Sequence, residues 1–490
     1  MRAAFRPWGV VLLALSCAAA SASQPATLRI VDDVAANRRS PFYLDLAKYP
    51  KQRRDLPVGV FDSGTGGLTV LDALLRLDGF KNGTPEETAD QANDLAAERF
   101  VYLGDVANMP YGRYGGEGKV DLLREHIVKN VQFLLGPTYF ASADAIEPTA
   151  LKDPVKVIVI ACNTATAYGL EDVRRALAAW NLDIGVIGVV DAGATVAVRL
   201  LPADSRNDTL AVMATEGTCD SEAYPLAVRR QYRKRFRRDD LTIVQQPGLG
   251  LAGAIDEDAD YLDPTAEAPR GIPRYQGPRL GHPLCPIEPS LWKEYRFDAR
   301  GNRLLCRRDS CGALVAVELN SVENYVRYHV TSLVRRAVDA NAGQTIRAVI
   351  LGCTHYPYYT DAIREHFDYL RSLGEPYATV IAPEVVLVDP ADATARQLYR
   401  HLVRRNLLGS RPAPSAEFYV SVPNRHLPQN RIDATGCFPF EYKYGRQINQ
   451  DVRFVCGIPL TAKLLTPSTS ERIRRQMPAV HALLLDFQQR

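Results

Sequence analysis

A strand that ends in a cysteine occurs twice in this chain, and it constrains the fold more than any other feature. A run of apolar residues at 348–352 ends in Cys353, which a threonine and a histidine follow. A similar run at 157–161 ends in Cys162. Each run predicts a buried strand that carries a thiol to the edge of a sheet. Two such strands predict two thiols that face each other across one site.

Strands and helices alternate along most of the chain. Apolar residues recur at helical spacing over 120–135, a further helix is predicted over 322–340, and short buried strands are predicted at 57–61 and 209–215. This alternation is typical of parallel sheets with helices on both faces, in which ligands bind at the carboxyl ends of the strands. The sequence therefore predicts an α/β fold with its functional residues at those ends.

The composition indicates a large protein without a dominant charge. The chain has 490 residues, of which 46% are hydrophobic, and it is long enough for two or more domains. Its 59 basic and 56 acidic residues nearly balance, and the net charge is +3. This balance gives no support to a nucleic-acid partner.

The N-terminus has the pattern of an export signal. Arg2 and Arg6 precede a short apolar run at 10–20, and 20–22 is an A-x-A-type cleavage site. Residues 1–22 are therefore predicted to be a signal peptide, and the mature protein to be exported to the periplasm, with lipid attachment at Cys17 less favoured. No later stretch is apolar for long enough to span a bilayer, so no membrane association is expected after signal removal.

Three segments interrupt or flank the alternating pattern. Residues 23–55 are predicted to be a polar N-terminal extension without a core of its own. Residues 256–315 are predicted to be an insertion, because seven prolines break the pattern there. Residues 410–490 contain stretches that alternate like β-strands, and they predict a small β-containing C-terminal tail.

Eight cysteines remain after signal removal, and six of them are not needed for a two-thiol site. Export favours disulfides, so these six could pair, although the sequence does not give the connectivity. Zinc binding in the insertion is the weaker alternative, because the spacing of its cysteines is not a recognised ligand pattern. The six are Cys219, Cys285, Cys306, Cys311, Cys437 and Cys456, and the last two are candidates to staple the tail.

Two thiols on opposite faces of a carbon can invert a stereocentre. One thiolate removes the proton on Cα, and the other thiol returns a proton from the far side. Asp62, which follows the strand at 57–61, and His355 are the candidates to tune the two thiols. Three alternatives stay open on these residues: each cysteine is a buried small hydrophobe, the two form a disulfide, or Cys353 and His355 form a Cys–His hydrolase.

Several motifs together resemble those of the glutamate racemases, which belong to the cofactor-independent aspartate/glutamate racemase superfamily. No single motif is specific, but their order and spacing agree with the family apart from insertions. The motifs lie at 59–70, 104–112, 161–167, 214–224 and 351–357. The resemblance covers about 55–260 and 315–408, which is well over half of the chain.

The resemblance implies an α/β fold of two pseudo-symmetric domains, with mainly parallel sheets flanked by helices and the active site in the cleft between them. Domain 1 is expected over 56–190 and 385–408, and domain 2 over 191–384. The implied activity is an isomerase that interconverts L- and D-glutamate with no cofactor and no metal. The implied partner is a small acidic amino acid, and a homodimer is left open.

The resemblance also assigns roles to individual residues. Cys162 and Cys353 would be the acid/base pair, with Asp62 assisting at the first thiol and His355 at the second. The residues expected to line the substrate site are Ser63, Pro110, Tyr111, Gly112, Asn163, Thr164, Thr218 and Thr354.

The chain departs from the family in its export signal, its insertion and its tail. Family members supply D-glutamate for peptidoglycan precursors in the cytoplasm, whereas export removes this protein from that pathway and exposes its thiols to oxidation. The substrate could therefore be aspartate or another carboxylate, or the protein could be a non-catalytic amino-acid-binding protein on the same scaffold. The family has a further acidic helper, which is expected here at Asp256 or Glu257.

Overall fold

The structure, a computed structural model, describes residues 27–203, 208–340, 344–411 and 413–489. The predicted signal peptide therefore lies outside the described residues. The strands are β1 (Val58–Asp62), β2 (Arg99–Gly104), β3 (Thr138–Tyr139), β4 (Ala150–Leu151), β5 (Val157–Ile160), β6 (Gly185–Gly188), β7 (Asp208–Ala214), β8 (Thr242–Pro247), β9 (Leu304–Arg308), β10 (Leu314–Leu319), β11 (Thr345–Gly352), β12 (Ile381–Val388), β13 (Ser415–Pro423) and β14 (Val455–Pro459).

Helices connect these strands and cover the sheets. They are α1 (Ile30–Ala35), α2 (Leu68–Arg76), α3 (Arg113–Gly116), α4 (Val120–Leu135), α5 (Asn163–Ala179), α6 (Val189–Arg199), α7 (Glu216–Asp220), α8 (Ala223–Phe236), α9 (Leu251–Ile255), α10 (Trp292–Tyr295), α11 (Val322–Ala340), α12 (Thr360–Ser372), α13 (Tyr377–Val380), α14 (Pro390–Arg404), α15 (Phe440–Gly445), α16 (Pro467–Gln476) and α17 (Pro478–Gln488). Within the described ranges, no helix is both long enough and apolar enough to cross a membrane.

Two mainly parallel sheets form the two halves of the molecule. The first has the order β14-β13-β2-β1-β5-β6, in which β14 is antiparallel to β13 and the other neighbours are parallel. The second has the order β12-β11-β7-β8 and is parallel throughout. Helices flank both sheets, which confirms the predicted α/β fold.

Side chains alternate between the two faces of each central strand, and this alternation builds the layers of the core. In β5, Val157 and Val159 pack with α2 and α6, whereas Ile158 and Ile160 face α4 and α5. In β11, Ile350 belongs to the same apolar cluster as α6, while the opposite face packs on α11 and α12. Helices α6 and α14 each contact strands of both sheets. One continuous apolar cluster therefore joins the two halves.

The N-terminal extension packs on the outer helices of the first sheet. Helix α1 contacts α4, and its Ile30 and Val34 are buried in the cluster that α4 and α5 form. The indole Nε1 of Trp180 donates a hydrogen bond to the carbonyl of Val31 at 2.8 Å. The extension therefore buries its apolar residues in the core of the first half of the molecule.

The C-terminal segment is integrated into the first half of the molecule, whereas the sequence predicted a small β-containing tail. Strand β13 pairs in parallel with β2 over six residue pairs, from Ser415 opposite Arg99 to Val420 opposite Gly104, and β14 continues the sheet. This pairing satisfies backbone groups that β2 would otherwise expose as an edge strand. Helix α17 then packs on β13 and α2. The segment also contains α15 and α16, which the sequence did not predict.

The cysteines outside the two strand ends do not form the predicted disulfides. All eight cysteines that the structure describes are free thiols. In the insertion, Cys285 is buried under the second sheet, whereas Cys306 and Cys311 are exposed. In the C-terminal segment, Cys437 is exposed and Cys456 is buried in β14. No group of three or more His, Cys, Asp or Glu in the described part of the chain could hold a metal ion.

Two local predictions also need correction. The sequence predicts a helix at 360–371 with His366 on its surface, but in α12 His366 is buried, and its Nε2 lies 2.8 Å from Thr331 Oγ1. It shares the buried face of the helix with Ile363 and Phe367, and burial lowers its pKa to about 3. Residues 385–388 were expected in domain 1, but β12 is a continuous strand that pairs with β11 in the second sheet.

Candidate active site

Both strand-end cysteines lie where the two sheets approach each other. Cys162 follows β5 as the N-cap residue of α5, and Cys353 follows β11. The amide Nδ2 of Asn163 donates a hydrogen bond to the carbonyl of Gly352 at 3.2 Å, and Asn163 Oδ1 accepts one from Tyr224 at 3.0 Å. Asn163 directly follows Cys162, and Gly352 directly precedes Cys353. The ring of Tyr224 packs against Gly352. This bridge therefore brings the two thiol-bearing strand ends together.

The first half-site holds a protonated thiol. Cys162 is buried, and its Sγ accepts a hydrogen bond from the Ala165 N–H at 3.4 Å and lies 3.7 Å from Ser63 Oγ. Burial raises the pKa of Cys162 to about 12, and the negative charge of Asp62 adds to the shift. At neutral pH this thiol is therefore a proton donor.

A glycine-rich loop fixes the carboxylate beside this thiol. Asp62 Oδ2 accepts hydrogen bonds from the backbone N–H groups of Gly64 and Gly67, at 3.1 and 3.0 Å. A Cβ on Gly67 would lie 2.6 Å from the Cβ of Asp62 and 2.9 Å from that of Ala161, so a side chain has no room there. The loop therefore holds Asp62 beside Cys162, as predicted from the motif.

The second half-site holds a charged imidazole between a thiol and a carboxylate. Cys353 Sγ lies 3.5 Å from His355 Nδ1, and His355 Nε2 lies 3.2 Å from Asp256 Oδ1. Burial lowers the pKa of His355, but its bonds to Asp256 and Cys353 outweigh burial and raise the pKa to about 9. Burial alone would raise the pKa of Asp256, yet His355 and Arg472 lower it. Of the two acids left open by the sequence, Asp256 occupies the helper position.

The two half-sites differ in charge, and this difference suits proton transfer in two steps. His355 places a positive charge beside Cys353, and a neighbouring cation is the environment in which cysteines act as bases. Asp62 places a carboxylate beside Cys162, whose buried thiol keeps its proton. The arrangement therefore suits a base at one strand end and an acid at the other.

The structure distributes the predicted substrate-lining residues unevenly. Four of these residues lie at the strand ends of the site. Asn163 and Thr164 directly follow Cys162, and Thr354 directly follows Cys353. Ser63 directly follows β1, the strand next to β5. Both ends of the Asn163 amide are bonded within the protein, to Gly352 and to Tyr224.

In the loop at 110–112, the backbone of Gly112 faces the second half of the molecule, and the side chain of Tyr111 points into the protein. Pro110 and Gly112 are exposed, and a Cβ added to Gly112 would lie 4.0 Å from Gly217 Cα of the second half. Tyr111 is buried, and its hydroxyl donates a hydrogen bond to Asp105 and accepts one from Asn130.

Thr218 is also turned to the protein. Its Oγ1 lies 3.0 Å from Thr215 Oγ1, within the first turn of α7, and its side chain is buried. The local hydroxyl pair explains its position without a ligand.

One residue at the site was missed by the sequence analysis. Arg472 of α16 places Nη1 2.8 Å from Asp256 Oδ2 and 3.5 Å from His355 Nε2, and it places Nη2 3.5 Å from Thr65 Oγ1. Arg472 stands among other basic residues of the C-terminal segment, a pattern that is typical of a solvated helix face. Only the packing of the C-terminal segment brings it to the cysteines.

The bridge between the half-sites can be tested by substitution. Asn163→Ala removes the hydrogen bond to Gly352, and we expect kcat/KM to fall about fivefold, since one net hydrogen bond contributes on the order of 1 kcal/mol. Tyr224→Phe keeps the Asn163 amide and is expected to cost less, about threefold. Steady-state kinetics with L- and D-glutamate measure both. Unchanged kinetics of Asn163→Ala would show that the bridge does not align the half-sites.

The chain is similar to glutamate racemases, although no family model matches it. The glutamate racemase of Chlorobaculum tepidum is 26% identical over 362 residues, which are 74% of this chain and 85% of the relative. A glutamate racemase of Staphylococcus aureus is 34% identical over 211 residues, 43% of this chain and 59% of the relative. The solved glutamate racemase of Francisella tularensis in complex with D-glutamate aligns with 75% of this chain and 88% of its own, at 22% identity and a TM-score of 0.40.

Proposed function

We propose that this chain, a homologue of the glutamate racemases, is an isomerase that interconverts L- and D-glutamate through its two thiols. One observation carries the proposal. The Asn163–Gly352 hydrogen bond joins the ends of two strands from different sheets, and each strand end presents a cysteine with its own charged assistant. If the two cysteines were only small buried hydrophobic residues, there would be no reason for Asp62 and His355 to lie beside them.

The proposed reaction moves one proton off Cα and another onto it. In one direction the Cys353 thiolate removes the α-proton and becomes a thiol, and the electron pair stays on the substrate as a carbanion delocalised into its carboxylate. The Cys162 thiol then gives its proton to the opposite face of Cα and becomes a thiolate. The stereocentre is inverted, and the reverse direction uses the two thiols in exchanged roles.

The assistants match these roles. His355, held by Asp256, stabilises the negative charge of Cys353 before the reaction, while Asp62 keeps Cys162 protonated until the carbanion forms. The backbone N–H groups of residues 65 and 66 and the hydroxyls of Ser63, Thr164 and Thr354 are the candidates to hold the substrate carboxylate, where negative charge develops.

Hydrogen exchange at Cα tests this function directly. The reduced protein is incubated with L- or D-glutamate in deuterated water, and deuterium at Cα is measured by mass spectrometry while optical rotation is followed. We expect deuterium to enter as optical activity is lost, because each turnover returns a solvent-derived proton.

Parallel incubations separate the alternatives. Exchange with aspartate but not glutamate would identify a relative with another substrate. Binding of glutamate without exchange would identify an amino-acid-binding protein. Exchange with none of the acidic amino acids would exclude the racemase function.

We also propose export to the periplasm, on the basis of the pattern at 1–22. Mass spectrometry of the mature protein from cells should find a new N-terminus at residue 23. A role in peptidoglycan precursor synthesis is a separate proposal, made by similarity to the relatives, and it applies only to protein that is not exported, because export removes the protein from the cytoplasmic pathway. An intact N-terminus on the cellular protein would argue against export.

A further inference from the structure

The C-terminal segment brings a cation to the mouth of the active site. Helix α16 begins after Thr466, whose side chain accepts a hydrogen bond from the Thr469 N–H at 3.2 Å. The next helix, α17, packs on β13 and α2 of the first half. This packing holds α16 beside the cleft and points Arg472 between the two half-sites.

The guanidinium of Arg472 contacts both halves of the molecule with unequal strength. Its Nη1 is 2.8 Å from Asp256 Oδ2 in the second half, which is the distance of a charge-assisted hydrogen bond. Its Nη2 is 3.5 Å from Thr65 Oγ1 in the first half, which is the outer limit of a hydrogen bond. A guanidinium carries five N–H donors, so the Nη2 edge can exchange this weak contact for a ligand oxygen.

Arg472 can be reached from solvent. A cleft of about 800 Å³ opens beside it, and Tyr358 and Arg475 also line this cleft. The side chain of Arg472 is 22% exposed, compared with 15% for His355 beneath it. A small molecule in this cleft can therefore contact the guanidinium, which lies 3.5 Å from the imidazole Nε2 of His355.

The charges of the site call for such a cation. The carboxylates of Asp62 and Asp256 lie at the site, and His355 contributes one positive charge. The cleft beside the site is lined by three further acids, Glu257, Asp258 and Glu471. A dicarboxylic amino acid brings two further carboxylates close to these groups, which like-charge repulsion opposes. A planar guanidinium binds a carboxylate with two parallel hydrogen bonds, and it would offset this repulsion at the mouth.

We propose that Arg472 binds the side-chain carboxylate of the substrate and thereby selects dicarboxylic amino acids. This inference rests on the proposed racemase function. It makes the C-terminal segment part of the substrate site, with Asp256 holding one edge of the guanidinium while the other edge receives the ligand.

Binding and kinetics of Arg472 variants test the proposal. We expect Arg472→Ala to raise KM for both enantiomers of glutamate about 10- to 100-fold, which is the scale of a hydrogen bond to a charged group, with a smaller change in kcat. The affinity for glutarate, a dicarboxylate without a stereocentre, should fall by the same factor in calorimetry. Arg472→Lys keeps the charge and should recover part of both losses.

A matched control lies on the same helix. Arg474 is exposed and pairs with Glu471, so Arg474→Ala should leave KM and glutarate affinity unchanged. Thermal unfolding of each variant shows whether it folds. If Arg472→Ala does not fold, KM and glutarate affinity of Arg472→Lys test the proposal instead.

The outcomes separate this inference from the proposed function. Parental KM and glutarate affinity in a folded Arg472→Ala protein would overturn the inference, although racemisation persists. A loss of kcat with both values unchanged would also overturn it, because Arg472 would then only position Asp256 and His355. If the parent shows no exchange at all, the proposed function fails, whereas a loss of glutarate affinity in Arg472→Ala would still support carboxylate binding.

Discussion

Replacement of either Cys162 or Cys353 by serine is expected to lower racemisation of glutamate by at least about 1,000-fold in both directions, within the range of general acid–base catalysis. In the proposed mechanism each turnover uses both thiols, one as base and one as acid. A serine hydroxyl neither ionises near neutral pH nor gives up its proton readily, so one missing thiol stops inversion from either side. Circular dichroism or coupled detection of the opposite enantiomer measures the rate.

The two single variants should differ in isotope exchange. In Cys162→Ser, the Cys353 thiolate can still remove the α-proton of one enantiomer and return a solvent-derived one to the same face. That enantiomer should therefore exchange without inversion, and in Cys353→Ser the opposite enantiomer should be favoured. Exchange of only one enantiomer in each variant would assign the two faces of the substrate.

A thiol outside the site provides the control. Cys437 is exposed and far along the chain from both strand ends, so Cys437→Ser should racemise at the parental rate. The two-thiol assignment is wrong if Cys162→Ser or Cys353→Ser also keeps the parental rate. Equal loss in all three variants would point to a general effect of thiol removal.

His355→Gln is expected to reduce the rate at pH 7 about 100-fold in the direction in which Cys353 acts as base. Glutamine keeps the polar contact but cannot carry the positive charge that favours the thiolate. A thiol without such assistance ionises near pH 8.5, so the rate of the variant should rise about tenfold per pH unit below that value. The parent should be flat between pH 7 and 8, because the pKa of His355 is about 9.

The same shift predicts a dependence of stability on pH. The folded pKa of His355, about 9, lies above its ordinary value of 6.5. Its ion pair with Asp256 therefore contributes fully below pH 6.5, and the contribution is lost as pH rises through about 9. Thermal unfolding from pH 6 to 10 should show this loss in the parent and not in His355→Gln. Parallel curves for both proteins would contradict the ion pair, and Arg474→Ala serves as a surface control.

The parts of the fold that depend on local pattern could be predicted from the sequence. The strands before Cys162 and Cys353 are short apolar runs, and α4 has helical periodicity, so neighbouring residues suffice to identify them. Strand β13 also alternates, but its partner β2 is about 300 residues earlier in the chain, and no local signal gives that pairing. The tail was therefore predicted as a small β-containing segment.

The candidate site divides in the same way. Asp62 and His355 are adjacent to the strand ends in sequence, and both lie beside their thiols. The sequence left the acidic helper at either Asp256 or Glu257, because the turn after α9 decides which of the two carboxylates contacts His355. Arg472 could not be predicted, because its place depends on the packing of α17 on the first sheet.

The disulfide prediction failed for a different reason. An oxidising compartment permits disulfides, but a disulfide also requires that the fold place two sulfur atoms within bonding distance. Cys285 and Cys456 are buried and Cys306, Cys311 and Cys437 are exposed, each as a free thiol.

The pairing of β13 with β2 has a consequence for the order of events during synthesis. Contacts between residues so far apart form late, since the intervening chain must first be made and folded. The first sheet is complete, and Arg472 reaches Asp256, only after residues 415–472 have been synthesised. A nascent chain could thus contain both cysteines and still lack a complete site. We expect chemical competence to begin only after the residues from β13 to Arg472 have been synthesised and packed.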